Sequence, residues 1–173
     1  MVRMKFSPWR LLLVALGIAA AFLVYQYRQP RFIAGEKAPA FEVSLLNGQH
    51  AQLAELRGKY VLLQFWGSWC GPCRAENPYL AALYRQFQAK GFEIFSVAIE
   101  SNPANWQRAI AADGMIWKYH TAEFEQFSGP VARLFNIHSI PTTFLINPDG
   151  RIMGVNWTPD QLEKTLTAAL GSR

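Results

Sequence analysis

The fold of this chain is decided by residues 66–73, whose sequence is WGSWCGPC. They hold both cysteines of the protein, Cys70 and Cys73, at the spacing C-x-x-C. The apolar run that leads into them, residues 60–66, is typical of a buried strand. A helical pattern follows them and ends at Gly91. The cysteine pair is therefore predicted to lie where a strand turns into a helix.

That position favours a reactive thiol at Cys70. The free backbone N–H groups and the macrodipole of a helix stabilise an anion at its N-terminus. The thiolate is such an anion, and it is the nucleophilic form of cysteine. Pro72 fits the first helical turn because its missing N–H is not needed there. Cys73 is expected one turn inside the helix and less exposed, where it can resolve a mixed disulfide better than it can attack.

Three other uses of the cysteine pair fit the sequence less well. A structural disulfide that closes so short a loop constrains the unfolded chain little. A c-type haem site needs a histidine after the second cysteine, where Arg74 stands. A zinc site usually takes four ligands, and the three histidines lie without ligand spacing, at His50, His120 and His138. Redox chemistry is therefore the favoured use of the pair.

The residues around the pair resemble those of a known family. WCGPC after an apolar strand is similar to thioredoxin, and the wider runs 58–61 and 73–78 resemble the TlpA/ResA/DsbE type of thioredoxin-like, membrane-tethered oxidoreductase. The resemblance extends over about residues 38–170. It implies an α/β thioredoxin-like fold, in which helices flank a central mixed sheet, with an N-terminal β-hairpin and an inserted helix and strand.

The pattern along the chain fits this fold. Residues 41–45 and 49–53 predict a hairpin around Asn47-Gly48. Residues 92–99 are typical of a second buried strand, so that strand, helix and strand form a parallel βαβ unit. The remaining predicted elements are a helix over 102–113, a strand over 115–119, a short helix over 130–135, strands over 140–146 and 151–156, and a closing helix that begins with a capping box at 158–161.

The resemblance adds residues to the candidate site. Ile140-Pro141 matches the family's cis-proline loop, which faces the cysteine pair, and in relatives the backbone beside this proline pairs with the bound substrate chain. Trp69 is expected to shield the pair and to contact partner proteins, whereas Trp66 is expected in the core. His138 is expected on a surface loop rather than in catalysis.

A proton acceptor for Cys73 is predicted at Glu76. Thioredoxin has a buried aspartate six residues before its first cysteine, but Gln64 stands there and cannot take a proton. The resemblance offers Glu76 instead, three residues after Cys73 and hence about one helical turn away. Burial among apolar residues would raise the pKa of its carboxyl toward the working range. The alternative is a solvated carboxylate without a role.

The first 31 residues are interpreted as an uncleaved membrane anchor. Residues 11–25 are uncharged and almost wholly apolar, and the stretch 9–27 would give about 28 Å of helix, enough to cross a bilayer. A signal peptide cleaved at 19–21 is the alternative, although the apolar run continues beyond that point. Residues 32–38 are then a tether, and residues 39–173 are the thioredoxin-like domain.

The positive charge of the chain belongs to this N-terminal segment. Residues 1–31 hold five of the 17 basic residues and no acidic one, so the rest of the chain carries 12 charges of each sign. The net charge of +5 therefore does not indicate nucleic-acid binding. The basic residues on the two sides of the apolar run are nearly balanced. We expect the usual arrangement of a signal anchor, with a single span in the bacterial inner membrane and the domain on its periplasmic or outer face.

The sequence thus predicts an enzyme, an extracytoplasmic protein-disulfide oxidoreductase that needs no cofactor and no metal. Gly71-Pro72, the dipeptide of reducing thioredoxin, favours reduction of disulfides in substrate proteins. The resemblance implies substrates such as those of cytochrome c maturation and a transmembrane thiol reductant of the DsbD/CcdA kind. One alternative is a peroxiredoxin-like peroxidase, although the P-x-x-x-T-x-x-C pattern is absent. Another is a copper carrier or assembly chaperone, although such carriers use C-x-x-x-C.

Overall fold

The computed structural model describes residues 8–29 and 31–171, with a five-stranded sheet at its centre. The strands are β1 Glu42–Ser44, β2 His50–Gln52, β3 Tyr60–Trp66, β4 Phe92–Ile99, β5 Tyr119–Glu123, β6 Thr142–Ile146 and β7 Ile152–Val155. The helices are α1 Pro8–Arg28, α2 Gly71–Phe87, α3 Pro103–Ala112, α4 Pro130–Phe135 and α5 Pro159–Leu170.

The central sheet has the strand order β5-β4-β3-β6-β7. Strands β3, β4 and β5 run parallel, whereas β6 is antiparallel to both of its neighbours, β3 and β7. Strands β1 and β2 pair separately as a small antiparallel hairpin. This mixed sheet with its N-terminal hairpin confirms the predicted thioredoxin-like fold.

Strand β3 leads into the cysteine pair from the middle of the sheet, and all but its first residue are buried. Successive side chains of a strand point to opposite faces, so β3 contributes to two cores. Leu62 and Trp66 pack with residues of α2 and α5, whereas Leu63 and Phe65 pack with residues of α4. Gln64 shares the face of Leu62 and Trp66. A polar side chain is therefore buried beneath helix α2.

One predicted strand is wrong. Residues 115–119 were expected to pair, but β5 begins at Tyr119, which is the first residue opposite β4, at Phe95. The N–H of Met115 donates instead to the carbonyl of Ile110, so the chain is still completing the turn that ends α3. The side chains of Met115 and Trp117 are buried in the core on the α2 side. These residues anchor the turn and do not extend the sheet.

Helix α1 is long and apolar enough to cross a membrane over Pro8–Tyr27, with a mean hydropathy of 1.8, and none of that stretch is buried against the domain. The predicted anchor, residues 1–31, also includes residues 1–7 and Pro30, which lie outside the described residues.

The segment predicted as a tether, residues 32–38, lies along the edge of the sheet. The N–H of Gly35 donates to the carbonyl of Ile152, and the N–H of Ile152 donates to the carbonyl of Glu36, each at 2.8 Å. An isolated antiparallel bridge joins Lys37 to Arg151. This segment therefore covers β7, which is an edge strand of the central sheet.

Candidate active site

Cys70 and Cys73 form a disulfide at the N-terminus of helix α2. Cys70 is the N-cap residue, with extended backbone, and its Sγ accepts the N–H of Cys73 at 3.2 Å. Cys73 has no exposed surface, whereas 5% of Cys70 is exposed. Cys70 thus has the two properties expected of an attacking thiol, a helix N-terminus that stabilises its anion and the greater access of the two.

The loop between β3 and α2 is closely packed at Gly67. A Cβ atom there would lie 2.9 Å from Nε1 of Trp69, 3.0 Å from the carbonyl oxygen of Ile99 and 3.1 Å from Cδ1 of Ile140. Only glycine fits these distances without displacing a neighbour. The Ile140–Pro141 peptide bond is cis, as the resemblance implies, and Ile140 packs against the core that contains both cysteines. The predicted substrate loop therefore lies beside the cysteine pair.

Trp69 and Trp66 lie in opposite environments. The Trp69 side chain is 54% exposed, its Nε1 donates to the carbonyl of Ile99 at 2.7 Å, and its ring meets Phe127 edge-on at 6.4 Å. Trp66 is fully buried in the core. The hydrogen bond fixes the Trp69 ring in one orientation. A large apolar surface is thus available next to Cys70 for a bound polypeptide.

A buried chain of hydrogen bonds begins at Gln64, at the position where thioredoxin has its aspartate. Oε1 of Gln64 accepts the Ser96 hydroxyl at 2.8 Å, and its Nε2 donates to Oδ1 of Asn77 at 2.9 Å. Nδ2 of Asn77 donates in turn to Oδ2 of Asp113 at 2.8 Å. Gln64, Ser96 and Asn77 have no exposed surface. The Gln64 amide thus joins a hydrogen-bonded network and, unlike a carboxyl group, cannot exchange a proton with the cysteines.

The network reaches the active-site loop through Arg74. Its Nε donates to Oδ2 of Asp113, and one guanidinium nitrogen lies 3.4 Å from the carbonyl of Ser68. The hydrogen bond to Asp113 raises the pKa of Arg74. No spacing in the sequence links residues of α2 to the end of α3, so the predicted site did not include Asn77, Asp113 and Arg74. The sequence feature that could have indicated a buried polar network is the polar residue Gln64 within an apolar run.

Glu76 lies on α2 one turn beyond Cys73 and is half-buried. Burial raises the pKa of its carboxyl above the ordinary value for glutamate. The raised pKa agrees with the burial predicted for Glu76 from the sequence. Its role as proton acceptor stays a prediction.

Two buried glutamates, which were also absent from the predicted site, support the loops around the cysteine pair. The carboxylate of Glu100 accepts the N–H of Ser68, and only 1% of Glu100 is exposed. The N–H of Glu100 donates to the carbonyl of Glu123. The Glu123 carboxylate accepts the N–H groups of Val131 and Ala132, at 2.6 and 2.9 Å, at the start of α4. These contacts link the cysteine loop to the helix that leads into the cis-proline.

The fold and the cysteine site occur together in the AhpC/TSA family, whose model matches residues 34–155. This chain belongs to the AhpC/TSA family. Among curated members similar to it is the thiol-disulfide oxidoreductase ResA of Bacillus subtilis, 35% identical over 121 residues, which are 70% of this chain and 65% of that protein, just under two thirds of its length. ResA of Bacillus cereus is 32% identical over 165 residues, 90% of this chain and 91% of that protein.

Solved structures of the same kind match the fold of this AhpC/TSA member. The thioredoxin domain of a thiol-disulfide oxidoreductase from Bacteroides vulgatus has a TM-score of 0.73 at 31% identity, covering 80% of this chain and 99% of that one. A candidate thiol:disulfide interchange protein DsbE from Chlorobium tepidum has a TM-score of 0.70 at 28% identity, covering 79% and 97%. The predictions of a thioredoxin-like family and of an enzyme that exchanges thiols and disulfides are confirmed.

Proposed function

We propose that this oxidoreductase works outside the cytoplasm, anchored by α1, and reduces disulfides in substrate proteins such as those of cytochrome c maturation. The observation that carries the proposal is the Cys70–Cys73 disulfide at the N-terminus of α2, beside the cis Ile140–Pro141 bond. Gly71-Pro72 supports reduction rather than oxidation of the substrate, and the length and hydropathy of α1 support the membrane anchor.

The reduced pair acts in two steps. The Cys70 thiolate attacks one sulfur of the substrate disulfide, so a mixed disulfide forms and the first substrate sulfur leaves as a thiolate. Cys73 then loses its proton, in our proposal to Glu76, and attacks Sγ of Cys70. The second substrate sulfur leaves, the Cys70–Cys73 disulfide forms, and two electrons have passed to the substrate.

Substrate and electron donor meet the same face of the domain. Trp69 precedes Cys70, and Ile140 packs against the core that contains both cysteines. We propose that these residues and Pro141 bind the substrate chain, with the backbone at the cis-proline pairing with it. A transmembrane thiol reductant of the DsbD/CcdA kind would restore the dithiol through the same mixed-disulfide chemistry, run in the opposite direction.

Trapping the intermediate tests this proposal. Cys73→Ser retains the attacking thiol but cannot release its substrate, so it should accumulate mixed disulfides with its natural partners. Non-reducing gels of the host expressing this variant should show higher-mass bands that collapse with reductant, and mass spectrometry of the bands would name the substrates.

Cys70→Ser is the matched control and should give no such bands and no disulfide reduction. Bands from Cys70→Ser alone would reverse the two roles. If neither variant trapped a protein and the native pair bound copper instead, the redox function would be wrong and the copper-carrier alternative would replace it.

A further inference from the structure

A groove of 280 Å³ lies between the active-site loop and helix α3. It is smaller than the pockets of about 300–1,000 Å³ that hold small-molecule ligands, so its size suits one or two side chains of a bound polypeptide. Its walls are Ser68, Trp69 and Arg74 at the active site and Asn105, Arg108, Ala109 and Ala112 on α3. A chain bound at Cys70 therefore has this groove as its immediate neighbour.

The groove is positively charged, and its charge comes from Arg108. Arg74 also lines it, but the buried carboxylate of Asp113 neutralises that guanidinium. Arg108 is exposed and donates to the amide oxygen of Asn105. Among residues 8–29 and 31–171 no acidic side chain forms an ion pair with Arg108, and no acidic residue lines the groove. The nearby carboxylate of Glu100 is buried and accepts the N–H of Ser68.

A group of acidic side chains lies where helix α2 meets helix α5. Glu76 projects from α2 next to Tyr79, whose hydroxyl contacts the Glu163 carboxylate of α5. Asp160 stands in the first turn of the same helix. Lys164 lies beside these acids on α5, so that surface carries charges of both signs, whereas none of the described residues that line the groove is acidic. A positively charged groove attracts and orients an acidic chain as it approaches.

We infer that the groove is a specificity subsite, in which Arg108 binds a carboxylate side chain of the substrate protein close to the cysteine that Cys70 attacks. Trp69 packs on the apolar part of the same segment. This inference rests on the proposed function, because it requires a polypeptide disulfide as the substrate. It predicts that the substrate protein has an acidic residue within a few positions of the reacting cysteine.

Synthetic peptides test the subsite. Each carries one cysteine blocked as its mixed disulfide with 2-mercaptoethanol, an uncharged leaving group, and has aspartate, asparagine or lysine before or after the cysteine. The full chain, pre-reduced in an uncharged detergent, is mixed with each peptide, and the second-order rate constant is followed by chromatography of the free peptide. One of the two aspartate placements should react about tenfold faster than its lysine counterpart at low salt, and the ratio should shrink at high salt.

Substitutions of Arg108 identify the residue responsible. Arg108→Gln should bring the aspartate-to-lysine rate ratio close to one, and Arg108→Glu should invert it. Arg85→Gln is the matched control and should keep the native ratio, since Arg85 is an exposed arginine of helix α2 about 21 Å from the helix N-terminus that holds the cysteine pair. Equal rates for all native peptide pairs, or an unchanged ratio in Arg108→Glu, would overturn the subsite.

The uncharged asparagine peptide separates this inference from the proposed function. If the native protein reduces that peptide without any charge preference, the subsite is wrong and the oxidoreductase function stands. If it reduces none of the peptides, the proposed function itself fails, and the subsite fails with it.

Discussion

Glu76 is a carboxyl group that burial holds in its protonated form to a higher pH than usual. Its pKa is raised because the charged form loses solvation, and no compensating contact lowers it. Such a group destabilises the folded state once it ionises. The penalty is absent below the pKa of the unfolded chain, grows as the pH rises through the interval up to the raised folded pKa, and then stays constant.

Glu76→Gln is therefore expected to have opposite effects on activity and on stability. The resolving step should slow about tenfold or more at neutral pH, and the rate should no longer fall as the pH drops through the pKa of Glu76. The same variant should be more stable than the native protein at neutral pH, and equally stable in acid. Stopped-flow rates and urea unfolding across a pH series measure both effects. An unchanged pH–rate profile would leave Glu76 without a catalytic role.

Helix α2 is fastened to the rest of the domain by Asn77, which precedes a proline inside the helix. Pro78 has no N–H, so the helix loses one backbone hydrogen bond at this point. Asn77 supplies two side-chain bonds there, one from Gln64 and one to Asp113. The first two turns of the helix, which carry the cysteine pair, are thus held by contacts with β3 and with the end of α3.

Asn77→Ala should lower the free energy of unfolding by about 1–3 kcal/mol, because it leaves the buried Nε2 of Gln64 without an acceptor. Urea unfolding of the full chain in a mild detergent measures the loss. Gln86→Ala is the matched control on the exposed face of the same helix and should change stability by less than about 0.5 kcal/mol. Equal losses from the two variants would mean that the network contributes nothing specific.

At the scale of the whole molecule, helix α1 ends against the segment that leads to the cis-proline. Nδ2 of Asn136 donates to the carbonyls of Tyr27 and Gln29, at 3.1 and 2.9 Å. The rings of Tyr27 and His138 lie 4.4 Å apart. His138 is thus half-buried beneath the helix end. If α1 spans the membrane as proposed, these contacts hold the substrate loop close to the membrane surface.

Alkaline carbonate extraction tests the anchor. The intact chain should stay with the membrane pellet, because the span buries about 30 Å of apolar helix in the bilayer. Ile18→Arg places a charge near the middle of the span, at a cost of about 2.5–3.5 kcal/mol, and should reduce the pelleted fraction, whereas Ile18→Leu should not. A released chain that begins near Phe22 would show a cleaved signal peptide instead.

Features that depend on neighbouring residues could be predicted from the sequence. The C-x-x-C pair at a strand-to-helix junction, the hairpin turn at Asn47-Gly48 and the capping box at Thr158 are all set by local spacing and backbone preference. Each of these signals involves only a few consecutive residues, so it can be recognised in the sequence without knowledge of the tertiary structure. The apolar period of a strand or helix acts over the same range.

The polar groups that meet at the site could not be predicted in this way, because they come from distant parts of the chain. The contact between Ser68 and Glu100 joins residues 32 positions apart, and the contact between Arg74 and Asp113 joins residues 39 apart. Strand β5 likewise begins at Tyr119, after the turn that ends α3, and not at Met115, where the strand was predicted to begin. The role inferred for Arg108 could not be predicted from the sequence, because it depends on helix α3 lying beside Trp69. These contacts form because packing the two cores brings distant segments together, and most buried polar groups then pair with groups on those segments.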